Sequence, residues 1–436
     1  MKIAFHNIGC KVNYAELSRI REDFELRGYE IAGPGETADI VVVQTCTVTN
    51  RADADSRKII RRAVRENPDA KVIVTGCYAQ MRPDEIAQLP GVIAVAGMDE
   101  KYSIAELLPE YLSADAVRID RGEGPDFGFY PASSAEEDAR SRAFFKLQDG
   151  CDYSCTYCAV HIARGRSRSM NFDEISAGIE RLENAGFREV ILSGINLGEY
   201  KAPTGENFAE VLDLIEDMPA SMRFRISSVE PNLLSDEIIR RVARSQKICP
   251  HLHLPLQSGS NEILAKMRRR YRAELFADRV DSIKTTMPDA AIGVDVITGF
   301  PGESEENFRE TYDLLKSLPI SYLHVFTYSE RKGTPAASMK PVIPGDIRKA
   351  RTKELTQLSD FKKREFYKSQ AGKELRVLPE RIDSKSGLWV GWTENYVRAA
   401  FAYDGVPEGI IPVIITEPGD EYCIAKAIDQ SNKSIK

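Results

Sequence analysis

The chain has 436 residues, with 66 Asp and Glu against 59 Lys and Arg and a formal net charge of -7. That length holds two or three domains with ample core, and the acidic balance excludes a protein coated in positive charge, so any nucleic-acid contact has to come from local basic patches. Eight cysteines are too few for a disulfide scaffold. No secretory signal stands at the start, and the longest apolar runs, such as Ile40 to Val43, fall far short of the roughly 20 residues of a membrane span, so the chain reads as soluble and cytoplasmic, where thiols stay reduced.

Residues 1–113 alternate short apolar strands with amphipathic helices. The strands are expected at Lys2 to Phe5, Asp39 to Val43, Lys71 to Val74 and Val92 to Ala96, and helices at Tyr14 to Arg27 and Ala52 to Glu66. This pattern predicts a doubly wound α/β domain with a parallel sheet. Three cysteines each follow a strand, in Ile8-Gly9-Cys10, Gln44-Thr45-Cys46 and Thr75-Gly76-Cys77. A parallel sheet gathers the carboxyl ends of its strands on one edge, where ligands bind, so these thiols are expected to converge. Singly, each is the ordinary buried cysteine of a core. Three at equivalent strand ends favour a three-thiolate iron–sulfur cluster. Residues 114–140 lose periodicity, gather Gly, Pro, Ser and acids, and read as a linker.

Residues 141–370 repeat one unit of apolar strand, polar turn and helix. Strands are expected at Ala143 to Leu147, Glu189 to Leu192, Arg223 to Ile226, Leu252 to Pro255, Ile292 to Ile297 and Tyr322 to Phe326, which makes six units and suggests an open, partial β/α barrel. Each strand leads into a loop rich in Gly, Ser, Asn or Glu, the place where such a barrel carries its chemistry. The first of these loops holds Cys151, Cys155 and Cys158, three thiols within eight residues and no fourth nearby. A structural zinc site closes its shell with four ligands, for which His161 is a candidate, whereas a cluster held by three thiolates keeps one iron open.

The spacing C-x3-C-x2-C resembles the signature of radical S-adenosylmethionine enzymes. The resemblance implies that the open iron chelates the amino acid end of S-adenosylmethionine and that reductive cleavage releases a 5'-deoxyadenosyl radical. It also gives roles to the later loops. Ser193 and Gly194 are expected at the methionine amino group, Glu230 at the ribose hydroxyls, Val325 at adenine, and Gln257 as a further cofactor contact. His251 and His253 alternate with Leu252 and Leu254, share one strand face, and are expected as satisfied core histidines.

Residues 371–436 change period to alternation. Five short strands are expected, at Leu375 to Leu378, Leu388 to Trp392, Tyr396 to Phe401, Ile410 to Ile415 and Glu421 to Ala427, as in a small closed barrel. This segment resembles the TRAM domain of RNA-modifying enzymes, although it carries eight basic against ten acidic residues. Trp389 and Trp392 either stack bases or fill its core. Basic runs at Lys266 to Arg272, along Arg57 to Arg65, and from Arg348 to Lys368 are candidates for phosphate contact.

The three-part order resembles the methylthiotransferases over nearly the whole chain. Gly9-Cys10-Lys11-Val12-Asn13, Thr45-Cys46-Thr47-Val48-Thr49-Asn50, Ala52-Asp53 and Ser56-Arg57 most resemble the branch acting on N6-threonylcarbamoyladenosine at tRNA position 37. Branches acting on isopentenyladenosine or on an aspartate of a ribosomal protein carry other residues beside the first cysteine. The family implies two 4Fe-4S clusters, one on Cys151, Cys155 and Cys158 to generate the radical and one on Cys10, Cys46 and Cys77 to deliver sulfur. It further implies S-adenosylmethionine, the tRNA anticodon loop, and an electron donor such as flavodoxin or ferredoxin as partners, with no membrane.

Overall fold

The computed structural model describes residues 1–122, 126–134 and 141–428. The parts of the expected linker at 123–125 and 135–140 lie outside the described residues.

Six parallel strands build the first domain: β1 (Lys2–Asn7), β2 (Glu30–Ile31), β3 (Ile40–Thr45), β4 (Lys71–Gly76), β5 (Val92–Ala96) and β6 (Arg118–Asp120), in the order β2-β1-β3-β4-β5-β6. Every residue of β3 is buried, which is why its Ile40-Val41-Val42-Val43 run is apolar without alternation. Helix α1 (Lys11–Leu26) follows β1, and helix α2 (Asn50–Glu66) starts where the Thr49 hydroxyl accepts the Ala52 amide. The strand order reverses between β1 and β3, and Cys10 and Cys46 leave the sheet at that switch point, where such folds bind ligands.

Two short strands fall inside the stretch read as a linker. β6 extends the first sheet, and β7 (Ala132–Ser133) pairs antiparallel with the first barrel strand. Edge strands of two or three residues are too short to show a period in the sequence.

The middle domain carries the six expected barrel strands: β8 (Arg142–Lys146), then, after the small antiparallel pair β9 (Gln148–Asp149) and β10 (Arg168–Ser169), β11 (Glu189–Ser193), β12 (Arg223–Ile226), β13 (His251–Gln257), β14 (Ala291–Thr298) and β15 (Tyr322–Thr327). β7, β8, β11 and β12 form one sheet and β13 to β15 another, joined by single bridges from Phe224 to Ile248 and from Ser228 to His253. The result is a curved sheet that does not close. Across its opening lies the first domain: α1 rests against β7 and β8 at one edge. At the other edge Arg331, just past β15, donates to Asp53, Thr47 and Asn50.

Helix Gly345–Lys368 leads to a closed barrel of β16 (Glu374–Ile382), β17 (Trp389–Thr393), β18 (Arg398–Ala402), β19 (Ile411–Glu417) and β20 (Cys423–Ala427). Its β17–β18 turn caps the floor of the partial barrel. Arg223 donates to the carbonyls of Arg376 and Trp392 at 2.7 and 2.8 Å, Arg225 donates to those of Thr393 and Glu394 at 3.0 Å, and both arginines grip the buried Glu189. Tyr396 stands in the left-handed region at φ 63° and stacks between His251 and Trp392, at 4.3 and 4.4 Å. Strain of about 1–3 kcal/mol for such a residue has to be offset by this packing. Trp392 is thus engaged at the domain junction rather than offered to a base, while Trp389 is half-buried and donates its indole N–H to the Gly405 carbonyl at 3.3 Å.

Candidate active site

Two of the cysteine loops begin with a backbone constraint. Gly76 and Gly150, directly before Cys77 and Cys151, have φ of 98° and 69°, and a Cβ would press into the backbone of Thr45 and of Arg166 respectively. Only glycine lets the chain leave each strand and turn its next side chain, the thiol, toward the shared interior.

Around Cys151, Cys155 and Cys158 the protein supplies donors to every sulfur. The Tyr153 and Val160 amides point at Cys151 and Cys158 at 3.4 and 3.3 Å, Asn196 donates to Cys151 at 3.8 Å, and Arg269 donates to Cys155 at 3.1 Å. Gln148 ties this loop to the turn after β11: its Oε1 accepts the Ile195 and Asn196 amides, and its Nε2 donates to the Gly150 carbonyl and to Ser167. Burial pushes the Cys158 thiol up to about 11, with the nearby Cys155 adding to it, and raises Cys151 and Cys155 as well. Thiols held this way, free of disulfides and surrounded by N–H donors, fit a cationic cluster that replaces their protons.

The second trio fits the same test. Cys10, Cys46 and Cys77 are free and close enough that their charges act on one another, and burial pushes Cys46 up to about 12. Here the decisive donor comes from the barrel domain. Arg164, on the helix Val160–Arg164 after the first trio, crosses into the first domain and donates its Nε to Cys77 at 3.2 Å. Its other nitrogens meet Asn13 at 2.7 Å, Asp149 at 2.8 Å and both oxygens of Glu16 at 3.0 Å. Burial alone would raise the Glu16 carboxyl, yet Arg164, Lys101 and Lys146 outweigh it and hold that group well below the usual carboxylate range. In the sequence Arg164 is one cation of the basic run Arg164, Arg166, Arg168 that follows the first trio. Asn13 stands in the quoted stretch Gly9 to Asn13 without a role of its own, and Glu16 and Gln148 carry no spacing signal.

Within the run Lys266 to Arg272, Arg269 departs from the expected role as a phosphate contact, while Lys266, Arg268, Arg270 and Arg272 stay exposed. Arg269 is buried, ion-paired with Glu230 and bonded to Cys155, and Arg270 lies 4.0 Å over the Tyr153 ring while donating to the Asp152 carbonyl at 2.6 Å. On the long C-terminal helix Arg348 and Arg351 are also buried, paired with Glu330 and with Glu303 and Glu305. Lys58, Arg61, Arg62 and Arg65 on α2 remain on the surface.

The residues expected at the cofactor line one rim. Ser193 ends β11 with its hydroxyl on the Ile191 carbonyl, and Gly194 packs against Gln148. Burial raises Glu230 to about 7 against the pull of Arg269. Gln257 ends β13 at φ 66° beside a bulge, and Val325 is half-buried on β15. Deeper in the barrel, His253 joins Asp295 at 2.8 Å and Ser228 at 3.0 Å and is satisfied as expected, whereas His251 joins Tyr322 at 2.7 Å through Nε2 and leaves its buried Nδ1 without a partner. Lys11, next to Cys10, retains accessible surface although residues of the barrel crowd it. Enclosure, with Arg225 and Arg142 adding repulsion, pushes its ammonium down to about 8.

Comparison with known proteins agrees with this architecture. The model of an uncharacterised protein family, UPF0004, matches residues 2–97, and that of the radical SAM superfamily matches residues 145–315. The chain is 39% identical to the threonylcarbamoyladenosine tRNA methylthiotransferase MtaB of Bacillus subtilis, over 96% of this chain and 95% of the relative. It is 38% identical to the protein of that name from Aquifex aeolicus, over 91% and 96%. Identity to a tRNA-2-methylthio-N(6)-dimethylallyladenosine synthase from Pelotomaculum thermopropionicum is 31%, over 94% and 93%. Among solved structures the radical S-adenosylmethionine methyltransferase TsrM from Kitasatospora setae shares the fold, with TM-score 0.55 over 77% of each chain at 15% identity. The chain belongs to the methylthiotransferase family of radical S-adenosylmethionine enzymes.

Proposed function

We propose that this protein inserts a methylthio group at C2 of N6-threonylcarbamoyladenosine at position 37 of tRNA. The observation that carries the reading is that Arg164, on the helix that follows the first trio, donates to Cys77 of the second. C2 of adenine bears an unactivated hydrogen, so its replacement needs a strong radical and, beside it, a sulfur donor. When bound, the cluster on Cys151, Cys155 and Cys158 supplies the electron that cleaves S-adenosylmethionine, and a second cluster on Cys10, Cys46 and Cys77 supplies the site for sulfur. The chain's own part is to hold these groups in register and keep water out. Arg269 steadies Cys155 and Glu230, which leaves Glu230 placed for the ribose hydroxyls. Ser193, Gly194, Gln257 and Val325 complete the cofactor rim.

The relatives' names carry the substrate: six of them from different bacteria are threonylcarbamoyladenosine tRNA methylthiotransferases. A base in the anticodon loop is splayed toward the barrel mouth at lower cost than a paired one. The exposed cations of α2 are the phosphate contacts we favour, and a small reductant such as flavodoxin or ferredoxin feeds the first cluster in the cytoplasm. The test is mass spectrometry of nucleosides from tRNA incubated with anaerobically reconstituted protein. A methylthio group on threonylcarbamoyladenosine is expected. Its appearance only on isopentenyladenosine, or on a ribosomal protein, would overturn the assignment.

A further inference from the structure

One cation of the first domain, Lys11, faces Arg225, Arg142 and Asp295 of the barrel without pairing with any of them. Among the described residues Lys11 makes neither a hydrogen bond nor an ion pair. The acid that faces it is committed elsewhere: Asp295 is bonded to His253 at 2.8 Å. Arg142, whose charge also reaches Lys11, has its own partner in Glu380 at 2.8 Å. Arg225 spends its remaining donors on carbonyls of the C-terminal barrel. A cation left unpaired beside other cations is stabilised when an anion arrives. Lys11 is therefore set for a ligand with a carboxylate.

We propose that Lys11 reads the substrate: its ammonium takes the carboxylate of the threonylcarbamoyl group on N6 of the target adenosine. The inference rests on the function proposed above. C2 and N6 flank N1 on the same side of adenine. A base whose C2 meets a sulfur donor beside Cys10 turns its N6 substituent toward the neighbouring part of the chain, and Lys11 is the next residue. An isopentenyl group has no charge to offer this cation. The other carboxylate that must enter the barrel belongs to S-adenosylmethionine, and it goes to the opposite trio, where Arg269 already stands beside Cys155.

The test uses reconstituted holoenzyme and three anticodon stem-loops that differ only at position 37: threonylcarbamoyladenosine, its carboxylate methyl ester, and unmodified adenosine. Wild-type protein should bind the acid roughly tenfold to a hundredfold more tightly than the ester or the unmodified loop, the range for a hydrogen bond to a charged group. Lys11→Met should bind all three alike, with KM for the acid raised far more than kcat is lowered, and Lys11→Arg should restore the preference. The ester comparison needs no variant, so it stands even where Lys11→Met loses its iron. Equal binding of acid and ester by wild-type protein, or a wild-type preference kept in Lys11→Met, overturns the proposal. So does weakened S-adenosylmethionine binding in Lys11→Met, measured without RNA, if the acid preference is unchanged. Methylthiolation of the acid loop with an unchanged preference sinks this inference alone. A wild-type enzyme that modifies no such loop sinks the underlying reading.

Discussion

Cys151, Cys155 and Cys158 share one eight-residue loop and draw most of their donors from that loop and its neighbours, whereas Cys10, Cys46 and Cys77 come from three strand ends and depend on an arginine of another domain. The first trio is positioned by local backbone and would survive small shifts between domains. The second is held where two domains meet, around a buried ionic knot of Arg164, Glu16, Asp149, Lys101 and Lys146. Breaking one member of such a knot leaves a buried charge uncompensated, which typically costs about 3–5 kcal/mol. The difference places the second trio where a side chain of the barrel domain can tune it.

The sharpest way to break this comparison is to remove one trio at a time. Replacing Cys151, Cys155 and Cys158 by Ala should abolish both 5'-deoxyadenosine formation and methylthiolation. Replacing Cys10, Cys46 and Cys77 should abolish methylthiolation, while 5'-deoxyadenosine still forms. Chromatography of the two products checks both outcomes, and a variant of the second trio that still transfers sulfur would end the proposed division of labour.

A subtler lever is Arg164→Met. Loss of a cationic donor to Cys77 destabilises the more negative reduced cluster, so the potential of the second cluster should fall by on the order of tens of millivolts while that of the first stays put. Potentiometry followed by electron paramagnetic resonance reads both. A shift in the first cluster alone would contradict the assignment of Arg164.

The other junction gives a pH effect. Burial would raise the Glu189 carboxyl, but Arg225 and Arg223 bring it down from 4.5 to about 2. With the folded value depressed, the unfolded chain binds more protons between these limits. The contribution is fully present above about pH 4.5 and is lost as pH falls toward 2, about 3 kcal/mol in all. Urea unfolding of the apo-protein across that range should show the slope, and Glu189→Gln should remove it. Smallest of all, Thr49→Ala deletes the cap of α2 next to the Cys46 loop and should cost about 1 kcal/mol in thermal unfolding.

Local spacing made the first trio legible, and Gly-Cys or Thr-Cys after apolar runs made the second legible once a parallel sheet was granted. What stayed hidden depends on approach between distant segments. Arg269 looks like any solvated cation in a run of five, and only the fold buries it against Cys155. Arg164 reaches Cys77 across 87 residues. Tyr396 reads as the start of a strand, yet its left-handed backbone turns the ring under the partial barrel. The strands β6 and β7 are too short for any period to mark them.

Iron counting joined to Mössbauer spectroscopy tests the central claim most directly, because it asks whether the two trios are separate clusters. Reconstituted wild-type protein should hold about eight irons as two cubane clusters, and each triple Ala variant about four as one. Full iron retained in either variant, or all iron lost from a folded one, would contradict the account.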